Sequence, residues 1–548
     1  MNRFLARLPL LTLLFVVVMT VVFFVFTHEG LYALDDYFYS RYAHQLLTGT
    51  FRVQPDPQGL LHDPLKERPL IFGPVAGFYA LLGINSISTT LWPLLATVGC
   101  AGILYILYHR RAPVVASASM LLLGLHYFTL DLTRYLYPDN ILMLWCLAAA
   151  AALLRGRQAP QHRRLWGAGF ALLNFAALLS KETIVYYLPF YLGLLGHDLL
   201  RRQHQRFWLS ALLTGTALLA AYLGAYQVYT HDALYRLHLI EHTNEFLKEG
   251  NYLLGNRAAL VARVTWQPLA FFIGSGIGLM LVLAGAALPL ARRTNVEARF
   301  WLALAGSTLL LYWVGSTSLS QYNPITLLPR MTTPLLPPLA LAAGFGVEWL
   351  WRTGRGYWIV GGLLLILAAW LHNSLAVLYV LPGVYFVGVA GWRQWRGNDA
   401  AWRPGTTTVA TLMLLVLAAA LSIRPVYFMR KPSVSAHFAQ NHIIQQHLNT
   451  PASNGVVLVD DYLIGNYDFY YGYELPPRLR YRRYWARDSV RLVPGQTAWL
   501  LLNRATLSND ELTRKLIRYS PDSVLSWYPQ RQLVAQDDRV ELYKVLIR

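Results

Sequence analysis

Leu8-Pro9-Leu10-Leu11-Thr12-Leu13-Leu14-Phe15-Val16-Val17-Val18-Met19-Thr20-Val21-Val22-Phe23-Phe24-Val25-Phe26 runs without a single charged side chain, and Arg3 and Arg7 stand just before it. A helix needs about 20 mostly apolar residues to cross the hydrocarbon of a bilayer. Only a helix or a closed barrel can satisfy the backbone N–H and C=O groups there. A cleavable export signal has a shorter apolar core and a small-x-small cleavage site. This run is too long and lacks that site, so it reads as a retained first membrane helix.

Working outward, comparable runs recur at 90–108, 113–129, 140–154, 165–180, 183–199, 207–229, 268–290, 300–318, 331–351, 358–371, 374–391 and 406–424. With 8–27 they make about thirteen spans. A shorter stretch at 69–83, holding Gly73, Pro74 and Gly77, reads as an interfacial or re-entrant helix. The chain is 55% hydrophobic and 14% charged, against roughly a quarter charged in a soluble protein. Its net charge of +19 would suggest nucleic acid in a soluble chain. Here the arginines sit in short loops between apolar runs, which argues for membrane topology and against nucleic acid. Arg110, Arg111, Arg155, Arg157, Arg201, Arg202, Arg292, Arg293, Arg352, Arg355, Arg393 and Arg396 all fall on the side of the N-terminus, which the positive-inside rule makes cytoplasmic. Counting 69–83 as a full span would reverse every later loop, and the arginine pattern argues against it. Cys100 and Cys146 lie inside apolar runs and give neither a disulfide framework nor metal-ligand spacing.

The opposite face, periplasmic on this reading, receives the segments 28–68, 131–139, 230–267 and 319–330, and everything after about Ser422. Residues 1–425 form the membrane part. Residues 426–548 are polar enough for a small soluble α/β domain, in which Val456–Val459, Trp499–Leu502 and Arg539–Ile547 read as strands and Asn509–Ile517 as a helix. No internal repeat and no glycine-rich phosphate loop is evident.

The residues able to do chemistry gather in those segments. Asp35-Asp36-Tyr37-Phe38-Tyr39 puts two carboxylates just beyond a membrane helix, where they are costly unless used or paired; a helix N-cap explains them equally well. In Lys66-Glu67-Arg68-Pro69, Glu67 suits a hard metal and Arg68 suits a phosphate held by a two-pronged fork, while helix-end snorkelling is the alternative. Pro138-Asp139 opens a span and also reads as an N-cap. Lys181-Glu182 closes one and also reads as an internal ion pair. His242, in Ile240-Glu241-His242-Thr243, carries weight only with an acidic partner such as Glu67. Arg330 stands at the mouth of a span.

Together these residues resemble the GT-C glycosyltransferases that use polyprenyl-phosphate sugars. The similarity is to the branch of lipid A aminoarabinose transferases and protein O-mannosyltransferases, over roughly residues 8–350. The family's acidic pair followed by an aromatic corresponds to Asp35-Asp36-Tyr37, with Asp36 where Glu is usual. Its Glu-Lys-Pro-Pro-Leu corresponds to Glu67-Arg68-Pro69-Leu70, with Arg for Lys and one proline missing. Pro138-Asp139, Ser180-Lys181-Glu182 and Glu241-His242 match further motifs, and Arg330-Met331-Thr332-Thr333-Pro334 matches another loosely. The resemblance implies an all-α polytopic membrane fold with a small periplasmic α/β domain. It implies Asp35 as general base, with Asp36 and Asp139 beside it in the catalytic set. Arg68, Arg330 and Lys181 would bind the donor phosphate. Glu67 and His242 would hold a divalent metal, one of Zn, Mg or Mn. The implied partners are an undecaprenyl-phosphate sugar, a glycolipid acceptor such as lipid A or a protein or polysaccharide hydroxyl, and membrane lipids of a bacterial inner membrane. A flippase-type transporter is the rival reading, though its class usually shows inverted repeats.

Overall fold

The computed structural model describes residues 3–31, 34–53, 65–246, 255–293, 295–317, 322–396, 404–431, 434–450, 453–509, 517 and 519–546. The chain divides into two compact units. The first comprises Met1–Phe26, Pro93–Thr133 and Pro138–Met429; the second comprises Thr27–Trp92, Arg134–Tyr137 and Arg430–Arg548.

The first unit is helical. Every apolar run expected from the sequence carries helix. By length and composition, six helices among the described residues can each cross a membrane: Phe4–Thr27, Ser86–Tyr108, Pro138–Gln158, Gln205–Thr230, Ser374–Trp395 and Thr407–Phe428. Two bent pairs raise that to eight. The expected span 113–129 breaks after Gly124 and turns 60° into Tyr127–Arg134, and the expected span 268–290 turns 103° between Gly274 and Ile277. Gly276, at φ +87°, supplies the left-handed residue that the second turn requires. Two other runs begin later than their hydropathy suggests. Leu188–Leu200 follows a 3-10 stretch Glu182–Tyr187, and Leu336–Thr353 follows the 3-10 turn Pro329–Thr332; each α-helix carries a proline in its first turn.

The centre of this unit is the Pro113–Gly124 helix, buried at all twelve positions. An all-apolar helix is stable only when covered all round. Small residues let backbones approach it: a Cβ on Gly344 would meet Ser119 Oγ at 2.2 Å, and Ser119 Oγ donates to the Ala340 carbonyl at 3.1 Å. The outer helices show the opposite pattern. Phe4–Thr27 is one-third buried and Gln205–Thr230 17% buried, and their exposed large apolar side chains are Leu, Val and Phe in the first and Leu, Val and Tyr in the second. Cys100 and Cys146 are buried and free.

The second unit contains a five-stranded sheet ordered β2-β1-β3-β5-β4. The strands are β1 Gly455–Val459, β2 Leu479–Arg483, β3 Thr497–Asn503, β4 Arg531–Asp537 and β5 Val540–Val545. β1 runs parallel to β2 and β3, while β5 runs antiparallel to β3 and β4. β1, β3 and β5 are the three strands expected from the sequence. The helix expected at Asn509–Ile517 lies mostly outside the described residues; a short helix Arg504–Leu507, capped by Asn503, precedes it. The same unit holds the Leu34–Leu47 helix and the 14-residue Pro69–Leu82 helix, which is as short as its sequence suggests. Hydroxyls join these two: Ser40 Oγ and Tyr79 OH lie 2.6 Å apart, and Tyr79 OH and Thr89 Oγ1 2.7 Å apart.

Candidate functional site

In the second unit, Asp35 and Asp36 occupy the first turn of Leu34–Leu47. The unsatisfied N–H groups at a helix start favour negative charge there. The two differ in surroundings. Asp36 is fully buried and its Oδ1 accepts from the Leu136 backbone N–H at 2.8 Å, so it ties this helix to the Arg134–Tyr137 segment. Asp35 is half-buried. One helical turn on from Asp35, on the same face, stands Tyr39. It is fully buried and its hydroxyl accepts from Arg68 Nη1 at 3.2 Å. Burial pushes the Tyr39 phenol well up, with Arg68 acting the other way.

Arg68 immediately precedes the Pro69–Leu82 helix. It leaves a turn in which Leu65 takes φ 69°, a conformation that non-glycine residues adopt rarely and at a cost. Glu67 is buried; its Oε1 lies 3.6 Å from Arg68 Nε, and its Oε2 has no hydrogen-bond partner. The carboxylate thus faces a guanidinium rather than further metal-ligating groups. Among the described residues no group of three or more His, Cys, Asp or Glu could hold a metal. The side chain of His242, on the Tyr235–Phe246 helix, lies outside the described residues. Of the expected metal ligands, the structure thus describes Glu67 alone, paired with Arg68 through Oε1 and with Oε2 unmet.

In the first unit, Asp139 sits in the first turn of Pro138–Gln158, one residue after the proline that starts it. Lys181 follows the Arg163–Ser180 helix in extended conformation. Its Nζ donates to Asp139 Oδ1 at 2.8 Å and lies 3.2 Å from Met331 Sδ. Lysine and aspartate are 5% and 1% exposed, and Asp139 Oδ2 has no partner. Lys181 and Glu182 do not pair with each other: Glu182 Oε2 is 3.4 Å from Arg236 Nη2. Arg330 is on the 3-10 turn Pro329–Thr332, next to the methionine that touches Lys181. That turn is held by Tyr312 OH, which donates to the Met331 carbonyl, and by Tyr187 OH, which donates to the Pro334 carbonyl at 2.6 Å.

Asp139, Lys181 and the Arg330 turn therefore meet in one unit, while Asp35, Asp36, Tyr39, Glu67 and Arg68 cluster in the other. Three contributors are not evident from motif reading. Tyr39 follows Asp35 at helical spacing, a signal that was available. Arg134 binds Glu29 at 3.1 Å, and Glu29 also accepts from the Val434 and Ser435 N–H groups at 2.9 Å. Arg263, fully buried, donates to the carbonyls of Tyr312, Trp313 and Ile325 and so anchors the stretch leading to Arg330.

Residues 67–226 match the family model described as dolichyl-phosphate-mannose-protein mannosyltransferase, which spans under a third of the chain. No curated protein sequence matches the chain. Among solved structures, ArnT from Cupriavidus metallidurans in the apo state is 18% identical, with 97% of each chain covered and a TM-score of 0.52. ArnT from the same organism bound to undecaprenyl phosphate is 20% identical, with 97% of each covered and a TM-score of 0.53. At such identity the likeness is one of fold, and it extends over nearly the whole of both chains. The protein is thus a multi-pass membrane protein with the GT-C fold of these ArnT structures.

Proposed function

We propose that the protein transfers a sugar from a polyprenyl-phosphate carrier to a hydroxyl of a glycolipid such as lipid A, at the periplasmic face of a bacterial inner membrane. The observation that carries this reading is Lys181. It is a buried ammonium held by Asp139, and Glu182, its neighbour in sequence, lines a cavity of about 500 Å³ whose other walls are mainly apolar, among them Phe175, Leu178, Leu188, Tyr191 and Leu219. Lys181 itself does not line that cavity, and the charged side chain that does, Glu182, is paired with Arg236 Nη2 at 3.4 Å; an apolar groove with charged side chains at its rim suits a molecule with a phosphate head and a hydrocarbon tail. The similarity to ArnT, crystallised with undecaprenyl phosphate, and the family match both support such a carrier.

The chemistry needs few groups. The departing phosphate is a stable anion, so no general acid is required. In a single displacement, the acceptor oxygen bonds to the anomeric carbon while the carbon–oxygen bond to phosphate breaks. The electron pair leaves with the polyprenyl phosphate, and the anomeric configuration inverts. Asp35 takes the acceptor's proton, an effect worth about 10²–10⁴-fold in rate. Lys181, Arg68 and Arg330 balance the growing phosphate charge. Asp36, bonded to a backbone amide, positions the helix that carries Asp35, and Asp139 orients Lys181.

Full-length protein in liposomes, given a radiolabelled polyprenyl-phosphate sugar, should release polyprenyl phosphate only when lipid A is added. Asp35→Asn should cut that release by about 10²–10⁴-fold without weakening carrier binding; full activity in this variant would remove Asp35 as the base. The family match favours a second acceptor, a serine or threonine hydroxyl of a protein. Label appearing in co-reconstituted protein instead of lipid A would select it. Carrier crossing the bilayer with its sugar bond intact would point to a flippase instead.

A further inference from the structure

A second polar cluster lies in the helical unit, apart from the residues assigned to transfer. Arg424 is in the last turns of the Thr407–Phe428 span. Its guanidinium carbon stands 4.2 Å from the centre of the Tyr127 ring, 4.9 Å from Phe128 and 5.8 Å from Phe428. Stacking on Tyr127 and Phe128 holds it against a neighbouring helix, where simple snorkelling would send it to water. Asp131 is near enough to act on it electrostatically, but Asp131 Oδ1 takes the Tyr127 hydroxyl at 3.4 Å. Arg424 forms no ion pair within 4 Å among the described residues. An arginine near the end of a membrane span without a carboxylate partner is a candidate functional group by default.

His126 faces the same small cavity. It is 3% exposed and neither ring nitrogen has a hydrogen-bond partner; the Ser275 backbone bears on the ring without closing a bond of good geometry. A buried imidazole with both nitrogens unmet is costly unless something else meets them. Ser275 and Ser374 complete the polar lining. Each contributor comes from a helix break or end. His126 is at the 60° break, Ser275 at the 103° break, Ser374 opens Ser374–Trp395, and Arg424 nears the end of its own span. Ser374 and Arg424 stand at ends of spans about 20 residues long, the depth of lipid head groups, while His126 and Ser275 are at breaks within theirs.

Size narrows the ligand. The cavity is partly open and its volume is about 30 Å³, room for one or two waters or for the leading oxygens of a larger group, given the ~10–15 Å³ that a single water needs. A sugar ring does not fit. The Ser275 hydroxyl already donates to the Phe272 carbonyl at 3.1 Å, which leaves a guanidinium, an imidazole and the Ser374 hydroxyl able to donate to oxygen, and none of them is a carboxylate.

We propose that Arg424, His126 and Ser374 bind a phosphate oxyanion, supplied by an anionic lipid head group or by free phosphate. The phosphate directs its oxygens into the cavity while the rest of the molecule stays outside. This does not depend on the transfer reaction proposed above.

Native mass spectrometry of the full-length protein in detergent tests it, with phosphatidylglycerol, phosphatidylcholine and inorganic phosphate added separately and in competition. Wild type should retain one phosphatidylglycerol in preference to phosphatidylcholine. Arg424→Gln should weaken that adduct about tenfold or more, the loss expected for a charge-assisted hydrogen bond. Ser374→Phe, which fills the cavity and leaves Arg424 in place, should do the same and covers the case in which Arg424→Gln fails to fold. Displacement by millimolar phosphate would assign the site to the free anion, and resistance to it would assign the site to the lipid; either supports an oxyanion site. Equal retention of both lipids, unchanged in both variants, would overturn it. So would retention of neither lipid nor phosphate, which would leave a water-filled pocket.

Discussion

Asp139 and Asp461 are both aspartates held by a basic side chain, and the two units treat them in opposite ways. In the helical unit Asp139 is 1% exposed, its one donor among the described residues is Lys181, and its Oδ2 has no partner. In the sheet-bearing unit Asp461 faces Arg483 at 2.9 Å, and it also accepts from Trp485 Nε1 at 3.0 Å and from Tyr519 OH at 2.9 Å. A carboxylate with several donors and access to water survives the loss of one. A carboxylate with one buried donor does not, because the remaining charge keeps its desolvation cost without compensation. At Asp139 the electrostatics thus rest on one irreplaceable contact in a low-dielectric surrounding, with an acceptor atom left unmet for a ligand's donor.

The sharpest way to break this contrast is Lys181→Met. It should destabilise the protein by about 3–5 kcal/mol, the cost of stranding a buried partner charge. Adding Asp139→Asn should restore most of that stability, since the charge is then gone. Sugar transfer should stay lost in both variants if Lys181 binds the carrier phosphate. Thermal unfolding in detergent, read by tryptophan fluorescence, gives the first quantity, and the liposome assay gives the second. A double variant as unstable as the single one would show that the pair is not what matters.

Acid sharpens the comparison from the other unit. Burial lowers His28 to about 4 and His437 to about 3, from an ordinary value of 6.5. The ring of His437 is enclosed: the Tyr470 and Tyr37 hydroxyls lie 3.1 and 3.4 Å from its Nδ1, and Gly30 approaches so closely that a Cβ there would fall 2.1 Å from the imidazole. Between pH 6.5 and those lowered values, the unfolded chain binds protons that the folded one refuses. The stability contributed by the neutral rings is therefore complete above pH 6.5 and is lost as pH falls, by up to ~1.4 kcal/mol per pH unit for each histidine. Unfolding measured at pH 7 and pH 5 should show the drop, and His437→Phe should flatten it by close to one histidine's share, whatever the variant does to stability at pH 7. An unchanged slope would mean that His437 takes up its proton without unfolding the protein.

How far the sequence reaches depends on whether a feature is local. Each apolar run became helix because length and hydropathy are properties of one segment. The same holds for β1, β3 and β5, whose apolar runs reflect burial. The two edge strands escaped. β2 reads Leu-Arg-Tyr-Arg-Arg with one buried residue, and β4 is exposed or half-exposed throughout, with a register shift at Leu533/Ala535; charge on an edge protects it from stray pairing and hides it from a pattern search. The breaks beside His126 and Ser275 contain no proline, so hydropathy runs straight through them. Among the site residues, Asp35 with Tyr39 was legible as a helical face. The partner of Lys181 was not, being 42 residues away. Arg263 was less legible still: its acceptors are backbone carbonyls, which every residue has, so no residue type announces the clamp.

The smallest expected effect tests the other half of the comparison. Arg483 is 47% exposed and its guanidinium carbon lies 5.3 Å from the centre of the Trp485 ring. Arg483→Met should cost about 0.2–1 kcal/mol, the range for exposed ion pairs. Asp461 keeps its bonds to Trp485 and Tyr519, so no buried charge is stranded. What remains of the interaction is Coulombic and screened, with a Debye length near 3 Å at 1 M salt against about 10 Å at 0.1 M. The difference between wild type and Arg483→Met should therefore shrink as salt rises, whereas the loss in Lys181→Met should persist. A loss of several kcal/mol in Arg483→Met that salt does not diminish would mean that Asp461 depends on one partner as Asp139 does, and the distinction between the two units would fail at that site.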